Sequence, residues 1–571
     1  MDVPDDLNIS NALFLPIFTA IARRIRLVET IDFLVRSEMA VGPGRLVLAM
    51  VLDVLSGRHP LYRIREFFET KDLELLLGED IDPSYLSDDT FGRLLDHLYE
   101  ANTSLVFSQL AMNALKAFDL PTNHVHFDTT SQSVYGAYDP PAEDDTEDDA
   151  PAPFQITHGF SKDHRPDLKQ FLFAMLCVGG NVPIFGKIED GNASDKTINN
   201  AILSSISEKL AAVGLSSDAS IYIADSAMVT EANLNALRDK IHFITRLPAT
   251  YTEHDRVVRE AVAAGQWVDY GTLAQTPSTP KRPAARYRGY ETSVCLYGTR
   301  YRAIVVHSSA HDRRRLKRLS RQIQDERKAC TLNLRNLAKT FFFCREDAQA
   351  AAHQLASQPL RYHAYELQVV ERPRYARGRP RADGTRVIAQ MRYAVTGCVR
   401  EQTDAIARAR EEAGCFVILT NVPPEGPPWA DTPYDGRTVL VAYKDQGGIE
   451  RNFGFTKDPV IVNALFLKSP KRIEALGLVL LIALLLWRLV ESSLRRHVQK
   501  TGRKIPGWDN KPTDRPTTFM MTTKFSEVLV MCAAGKRALA RPLNAVQRAY
   551  LHALGLSDDI FIRAPPAGEL Q

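Results

Sequence analysis

Apolar positions recur at helical spacing through the first 120 residues. Ile17, Ile21, Ile25 and Val28 fall on one face. Gly42-Pro43-Gly44 interrupts the chain ahead of residues 45–55, which are apolar nearly all round, and 61–69 predicts a short helix. Ser87-Asp88-Asp89 predicts an N-cap for a helix burying Phe91, Leu94, Leu95 and Leu98. Residues 1–120 therefore read as an all-helical N-terminal domain, suited to DNA binding or dimerisation. Near Pro121 the period shortens. Residues 124–128 alternate as a strand, and 171–178 and 183–188 read as strands about a Gly179-Gly180-Asn181 turn. An amphipathic helix over 197–213, a buried strand over 220–224, a helix over 231–240 and a strand over 242–246 follow.

The order β-β-β-α-β-α-β is that of a ribonuclease H-like α/β fold, in which acids sit at strand ends on one side of the sheet. Residues 250–435 interrupt it. Strand-like stretches at 301–307, 362–370 and 414–420, a helical segment near 312–358 and a Pro/Gly cluster at 423–428 predict a large mixed α+β insertion. The expected organisation is thus a helical domain at 1–120, a core split into 121–249 and 436–500 around an insertion at 250–435, and a C-terminal tail at 501–571. The apolar run from Ala475 to Trp487 is shorter than the roughly 20 residues that cross a bilayer. Arg472, Glu474, Arg488 and Glu491 flank it closely. It predicts a buried core helix and no membrane association.

Composition narrows the classes. Of 571 residues, 45% are apolar and 24% charged, which excludes a disordered or collagen-like chain. Lys+Arg 71 against Asp+Glu 68 leaves +3, so any nucleic-acid surface must be local. Seven scattered cysteines without a CxxC pair fit a reducing cytosol rather than a disulfide framework or zinc ribbon. The acidic start MDVPDDLNIS is unlike a secretory signal, and a cytoplasmic protein is expected. Two basic clusters stand out. Residues 301–330 carry nine Lys/Arg against three acids. Arg313, Arg314, Arg315, Lys317, Arg318 and Arg321 crowd one predicted helix whose buried edge is Leu316, Leu319 and Ile323. Such density suits phosphate contacts, or a solvated face. Residues 375–381, YARGRPR, read as the basic tip of a hairpin, and an extended Arg-Gly-Arg can enter an A/T-rich minor groove.

Three acids carry the candidate chemistry: Asp128 in HFDTTS, Asp225 in YIADSAM and Glu450 in GGIERNF. Carboxylates at the ends of neighbouring strands, with a third from a helix, make a hard oxygen cage that suits magnesium. Two such ions about 3.5–4 Å apart serve phosphoryl transfer. An Asp after a strand also commonly caps the next turn.

Local motifs add to this. HGFSKDHRPDLKQ (158–170) closely resembles the corresponding stretch of bacterial insertion-sequence DDE transposases, and GNASDKT (191–197) looks like the same family's next signature. Residues 443–457 are similar to the Y-x2-R-x3-E-x6-K signature of one branch. Tyr443, Glu450 and Lys457 match, and Gln446 stands in place of Arg, keeping hydrogen bonding but losing the planar cation. The resemblance runs in order over roughly residues 10–500. It implies a ribonuclease H-like core, Asp128, Asp225 and Glu450 as catalytic metal ligands, and two Mg²⁺ ions, with Mn²⁺ as a substitute. It further implies binding of terminal inverted repeats, cleavage at element ends and strand transfer. Partners are double-stranded DNA and a second copy, as a homodimer on DNA at the bacterial nucleoid.

Glu450 and Lys457 are seven apart and share a helix face, one for the ion and one for phosphate charge. Tyr443 and Gln446 can donate to the same DNA strand. Gly447-Gly448 predicts a helix start near Ile449. Lys162, His164 and Arg165 are further DNA-contact candidates, or a loop paired internally with Asp163 and Asp167. His124 and His126 share Asp128's strand face, as packed histidines or as ligands. The rival readings are a structure-specific nuclease on this fold and a catalytically inactive DNA-binding derivative. The complete Asp/Asp/Glu set argues against the latter.

Overall fold

The computed structural model describes residues 7–57, 59–134, 138, 154–161, 165–238, 240–273, 283–310, 313–457, 467 and 469–564. It is a mixed α/β protein. Contacts divide it into two compact units. The first comprises Met1–Arg246, Thr420–Pro433 and Thr438–Gln571, and the second Leu247–Leu419 and Tyr434–Arg437.

The first unit is built around the helix Pro470–Thr501. By length and composition this helix could cross a membrane, yet 89% of its apolar window is buried inside the protein. Helices Leu15–Arg24, Pro43–Leu55, Asp88–Glu100 and Thr103–Phe118 pack against it. Phe18 and Phe455 lie 6.1 and 5.5 Å from the Trp487 ring. The charges that flank the apolar run are held rather than stranded. Arg472 forks onto Asp96 at 2.8 and 2.7 Å, and Thr103 donates to Glu474 at 2.9 Å. The expected all-helical start needs one correction. Strand Asn8–Asn11 pairs with Leu529–Ala533, which in turn pairs with Lys536–Leu539. The C-terminal segment is therefore part of this unit rather than a tail. Its partner lies some five hundred residues away, beyond what local periodicity reports.

Five strands of this unit carry the candidate acids: β1 His124–Val134, β2 Lys169–Val178, β3 Val182–Glu189, β4 Ile221–Ile223 and β5 His242–Arg246. Their order is β3-β2-β1-β4-β5. The β1–β2 and β2–β3 pairs are antiparallel, and β1–β4 and β4–β5 are parallel. Directly opposed residues share a face. His126 opposes Cys177 and Asp128 opposes Met175. Helix Gly447–Lys457 covers that face, the Asn452 amide reaching Cys177 Sγ at 3.2 Å and Met175 Sδ at 3.6 Å. The opposite face stacks Phe127 on Tyr222 at 6.2 Å. Helix Asp195–Ser204 covers it, with Thr129 donating to Asp195 at 2.6 Å. The single helix expected over 197–213 is two, Asp195–Ser204 and Ile206–Ala212. Ser204 and Ser205 donate back to Ala201 O at 2.9 and 3.0 Å, which competes with the helical ladder at the break.

In the second unit, strands β6 Val268–Thr272, β7 Arg286–Leu296, β8 Thr299–Ser308 and β9 Cys415–Thr420 run in the order β9-β8-β7-β6. The expected helical segment is two helices, Arg313–Ala338 and Arg345–Ala356, flanking the antiparallel ribbon His363–Glu371 and Tyr393–Glu401. Leu319, Tyr362 and Ile406 form its small core, with Ile323 against it.

Candidate functional site

Asp128 lies mid-strand in β1 and is half-buried; its Oδ1 accepts the Thr129 N–H at 2.8 Å. Asp225 follows β4, half-buried, and its Oδ1 accepts the Ala227 N–H at 3.0 Å. It thus opens the short turn Ser226–Met228. The expected strand end at Asp128 is a mid-strand position, because β1 runs on to Val134, while the parallel strands β4 and β5 end beside it. The buried Thr245 hydroxyl donates to Asp225 O at 2.7 Å there. Glu450 is exposed in the first turn of its helix.

The parallel register sets His126 opposite Ile223, so Asp128 and Asp225 lie on neighbouring strands, and Glu450 is carried by the helix that covers Asp128's face. Burial holds the half-buried Tyr443 phenol above its usual range; Asp225, Asp128 and Glu450 push the same way, and Arg246 opposes them. Tyr443 is therefore held chiefly by burial as a protonated donor. Among the described residues no three His, Cys, Asp or Glu side chains close on a single metal-holding point. The donor set is nonetheless all carboxylate oxygen, which is the chemistry of magnesium rather than of a soft metal. His126 does not join it. Burial, aided by His124, pushes its imidazole down to about 3, and it stays a neutral packed side chain.

The glycines before Glu450 have a packing reason. The helix starts at Gly447, two residues before the expected Ile449, after a break at Asp445-Gln446 that ends helix Gly436–Lys444. A Cβ on Gly448 would fall 1.7 Å from Asn181 Oδ1, so any larger residue there would displace the Asn181 side chain from the β2–β3 turn. Asn452, fully buried, donates to Asn181 O at 2.9 Å and accepts from Arg488 Nε at 2.5 Å. Arg488 also pairs with Glu491 at 2.9 Å, and Glu491 with Arg495 at 2.8 Å. This buried network fixes the helix from behind.

Gln446 is half-buried, its amide 3.5 Å from Phe127 O beside Asp128. Lys457 is half-buried at the last turn of the Glu450 helix. Arg165 forks onto Asp167 at 2.9 and 2.7 Å, the internal pairing that was its plainer reading. Lys162 and His164 lie outside the described residues. Arg314 begins the helix Arg313–Ala338, its side chain outside what is described. Arg315 is half-buried and donates to Cys415 O at 2.9 Å, so its charge serves packing; Arg318 is exposed, as are Lys317 and Arg321.

The two signature stretches interlock. The buried Gln170 amide donates to Gly191 O at 2.7 Å and Phe160 O at 3.3 Å. A Cβ on Gly191 would fall 1.9 Å from Gln170 O. Much of both motifs is thus a packing requirement. Residues 7–112 match a family model described as a domain of unknown function (DUF4277). No curated protein matches the chain. The matched stretch ends before Asp128 and bears on the N-terminal helices alone.

Sequence reasoning missed two residues here. Arg246, half-buried at the end of β5, opposes the upward shift at Tyr443; its only signal was a strand in register with that of Asp225. Asn452 was legible as a polar residue beside Ile449 and Phe453 on one helix face.

Proposed function

We propose that this protein is a DDE-type DNA transposase that binds terminal inverted repeats, cleaves at element ends and joins 3′-hydroxyls to target DNA. The observation that carries the reading is the register that brings Asp128 and Asp225 to neighbouring parallel strands, with Glu450 on the helix covering Asp128's face. The strand order β3-β2-β1-β4-β5, three antiparallel strands continuing into two parallel ones, supports a ribonuclease H-like core. Asp128, Asp225 and Glu450 would hold two Mg²⁺ or Mn²⁺ ions, which would supply Lewis acidity for phosphoryl transfer. Tyr443 donates to a phosphate oxygen, and Lys457 and Arg246 supply the positive charge that the carboxylates lack. Gln446 positions by hydrogen bond where the branch signature has a guanidinium. Two ends need two such sites, so the working form is a homodimer on duplex DNA, in the bacterial cytoplasm at the nucleoid.

The test is incubation of the full chain with labelled duplexes taken from the DNA flanking its gene, in Mg²⁺ or Mn²⁺. Nicked ends and joined products are expected. Cleavage without joining identifies the nuclease alternative, and binding without cleavage the inactive derivative.

A further inference from the structure

The second unit carries a basic arm that the site above does not use. Beyond the ribbon His363–Glu371 and Tyr393–Glu401, Arg372 N–H donates to Arg392 O at 2.7 Å, and pairing continues through Arg374–Tyr375 and Ile388–Gln390. Ala376 donates to Val387 O, and Arg381 to Thr385 O at 2.9 Å, closing the tip. Gly384, with φ +77, turns the chain there. Residues 372–390 hold Arg372, Arg374, Arg377, Arg379, Arg381 and Arg386 against one acid, Asp383. All six arginines are exposed. None of the six guanidiniums makes an ion pair or side-chain hydrogen bond among the described contacts, and Asp383 is taken by the Thr385 hydroxyl at 2.7 Å. Tyr375 and Ile388 stand 47% and 48% exposed at the base of the tip.

An ordered hairpin with six outward guanidiniums and no lysine is built for bidentate oxyanion contact, not for solubility alone. Two paired strands about 4.8 Å apart, with side chains, make a ribbon roughly 10 Å across. That fits the major groove of about 12 Å and not the minor groove of about 6 Å. The paired tip therefore revises the minor-groove reading of YARGRPR. We infer that the hairpin 372–390 is a DNA-clamping arm that lies along the major groove of duplex DNA and grips its phosphates without reading sequence. The inference rests on DNA being this protein's substrate.

The experiment is fluorescence anisotropy of the full chain on a 30-base-pair duplex across a salt series, for wild type, R377A/R379A/R381A and R377K/R379K/R381K. Each lost phosphate contact removes about 0.9 from the slope of log K against log salt. The alanine variant is expected to lose about 2–3 from the slope and about 10- to 100-fold in affinity near 0.1 M salt. The lysine variant keeps the slope. All three should melt alike, because the side chains are exposed. An alanine variant with the wild-type slope overturns the arm, and tighter binding to single strands or RNA overturns the duplex assignment. A wild type that binds through the arm but cuts nothing removes the transposase reading and leaves the arm standing. A wild type that cuts, with an arm-independent slope, does the reverse.

Discussion

Replacing Asn452 by Ala tests whether the helix of Glu450 is held from behind. The side chain has no exposure, donates to Asn181 O at 2.9 Å and accepts from Arg488 Nε at 2.5 Å. A hydrogen bond to a charged donor contributes about 1.5–3 kcal/mol, and a buried carbonyl left without its donor costs about 1–3 kcal/mol. Arg488 keeps Glu491, so its charge is not wholly stranded. The expected loss is roughly 3–5 kcal/mol. At about 2–4 °C per kcal/mol for a large unit, the midpoint should fall by about 10 °C. Removing both partners, as in Asn452→Leu with Arg488→Met, should cost less than the sum of the single changes, because neither group is left facing an empty partner. Scanning calorimetry and urea unfolding of wild type, Asn452→Leu, Arg488→Met and the double variant give the cycle, with Asn452→Ala measured beside them. A midpoint shift under 2 °C for Asn452→Ala, or strict additivity in the cycle, would refute the network as the helix anchor.

Glu450→Gln should leave folding and duplex affinity unchanged and lower metal-dependent cleavage by about a thousandfold or more, read on a labelled end fragment. Gly448→Ala should lower the melting temperature, and Asn181→Gly in the same chain should restore it, since that change removes the 1.7 Å clash and suits the left-handed φ of 61° at Asn181; no rescue in calorimetry would count against the packing argument. Arg246→Gln should reduce cleavage at least tenfold without loss of stability, with partial recovery on adding Gln446→Arg; full activity in the single variant would remove Arg246 from the site. The hydrogen bond to Asp53 at 2.6 Å raises the His59 pKa, so its stabilisation is full below the ordinary histidine value near 6.5 and lost as pH rises through the raised one. His59→Gln should therefore destabilise by less than about 1 kcal/mol at pH 6 and by less still at pH 9, and a deficit that grows with pH in thermal melts would be the wrong sign.

Legibility in the sequence followed the range of the interaction. Alternation located β1 and β5, and the Asp225 strand end was visible because an apolar run stops there. The boundaries that were missed belong to contacts between distant segments. Asn8–Asn11 has no strand signature apart from its partner at Leu529–Ala533. Gly447-Gly448 argued against a helix by propensity, and the close approach of the Asn181 side chain gives Gly448 a packing reason that propensity does not record. The one helix expected over 197–213 breaks where two consecutive serines bond back to the same carbonyl, a local signal that the hydrophobic pattern masked. Arg315 counted as one more cation in a basic run until the fold turned it towards Cys415 O.

The same reasoning bears on Gln446, which stands where the resembled signature has Arg. A charge acts through space, so a site can take its cation from any element that reaches it. Gln446 occupies the break between two helices and holds its amide 3.5 Å from Phe127 O, a place where hydrogen bonding, not charge, is what the neighbouring backbone accepts. Arg246, at the end of a strand two places across the sheet from Asp128, is the cation that opposes burial at the Tyr443 phenol. A motif read along the chain records which residue types once stood at fixed spacing. A sheet edge gathers side chains by register, and the electrostatic requirement at such an edge is met by the sum of what is gathered there.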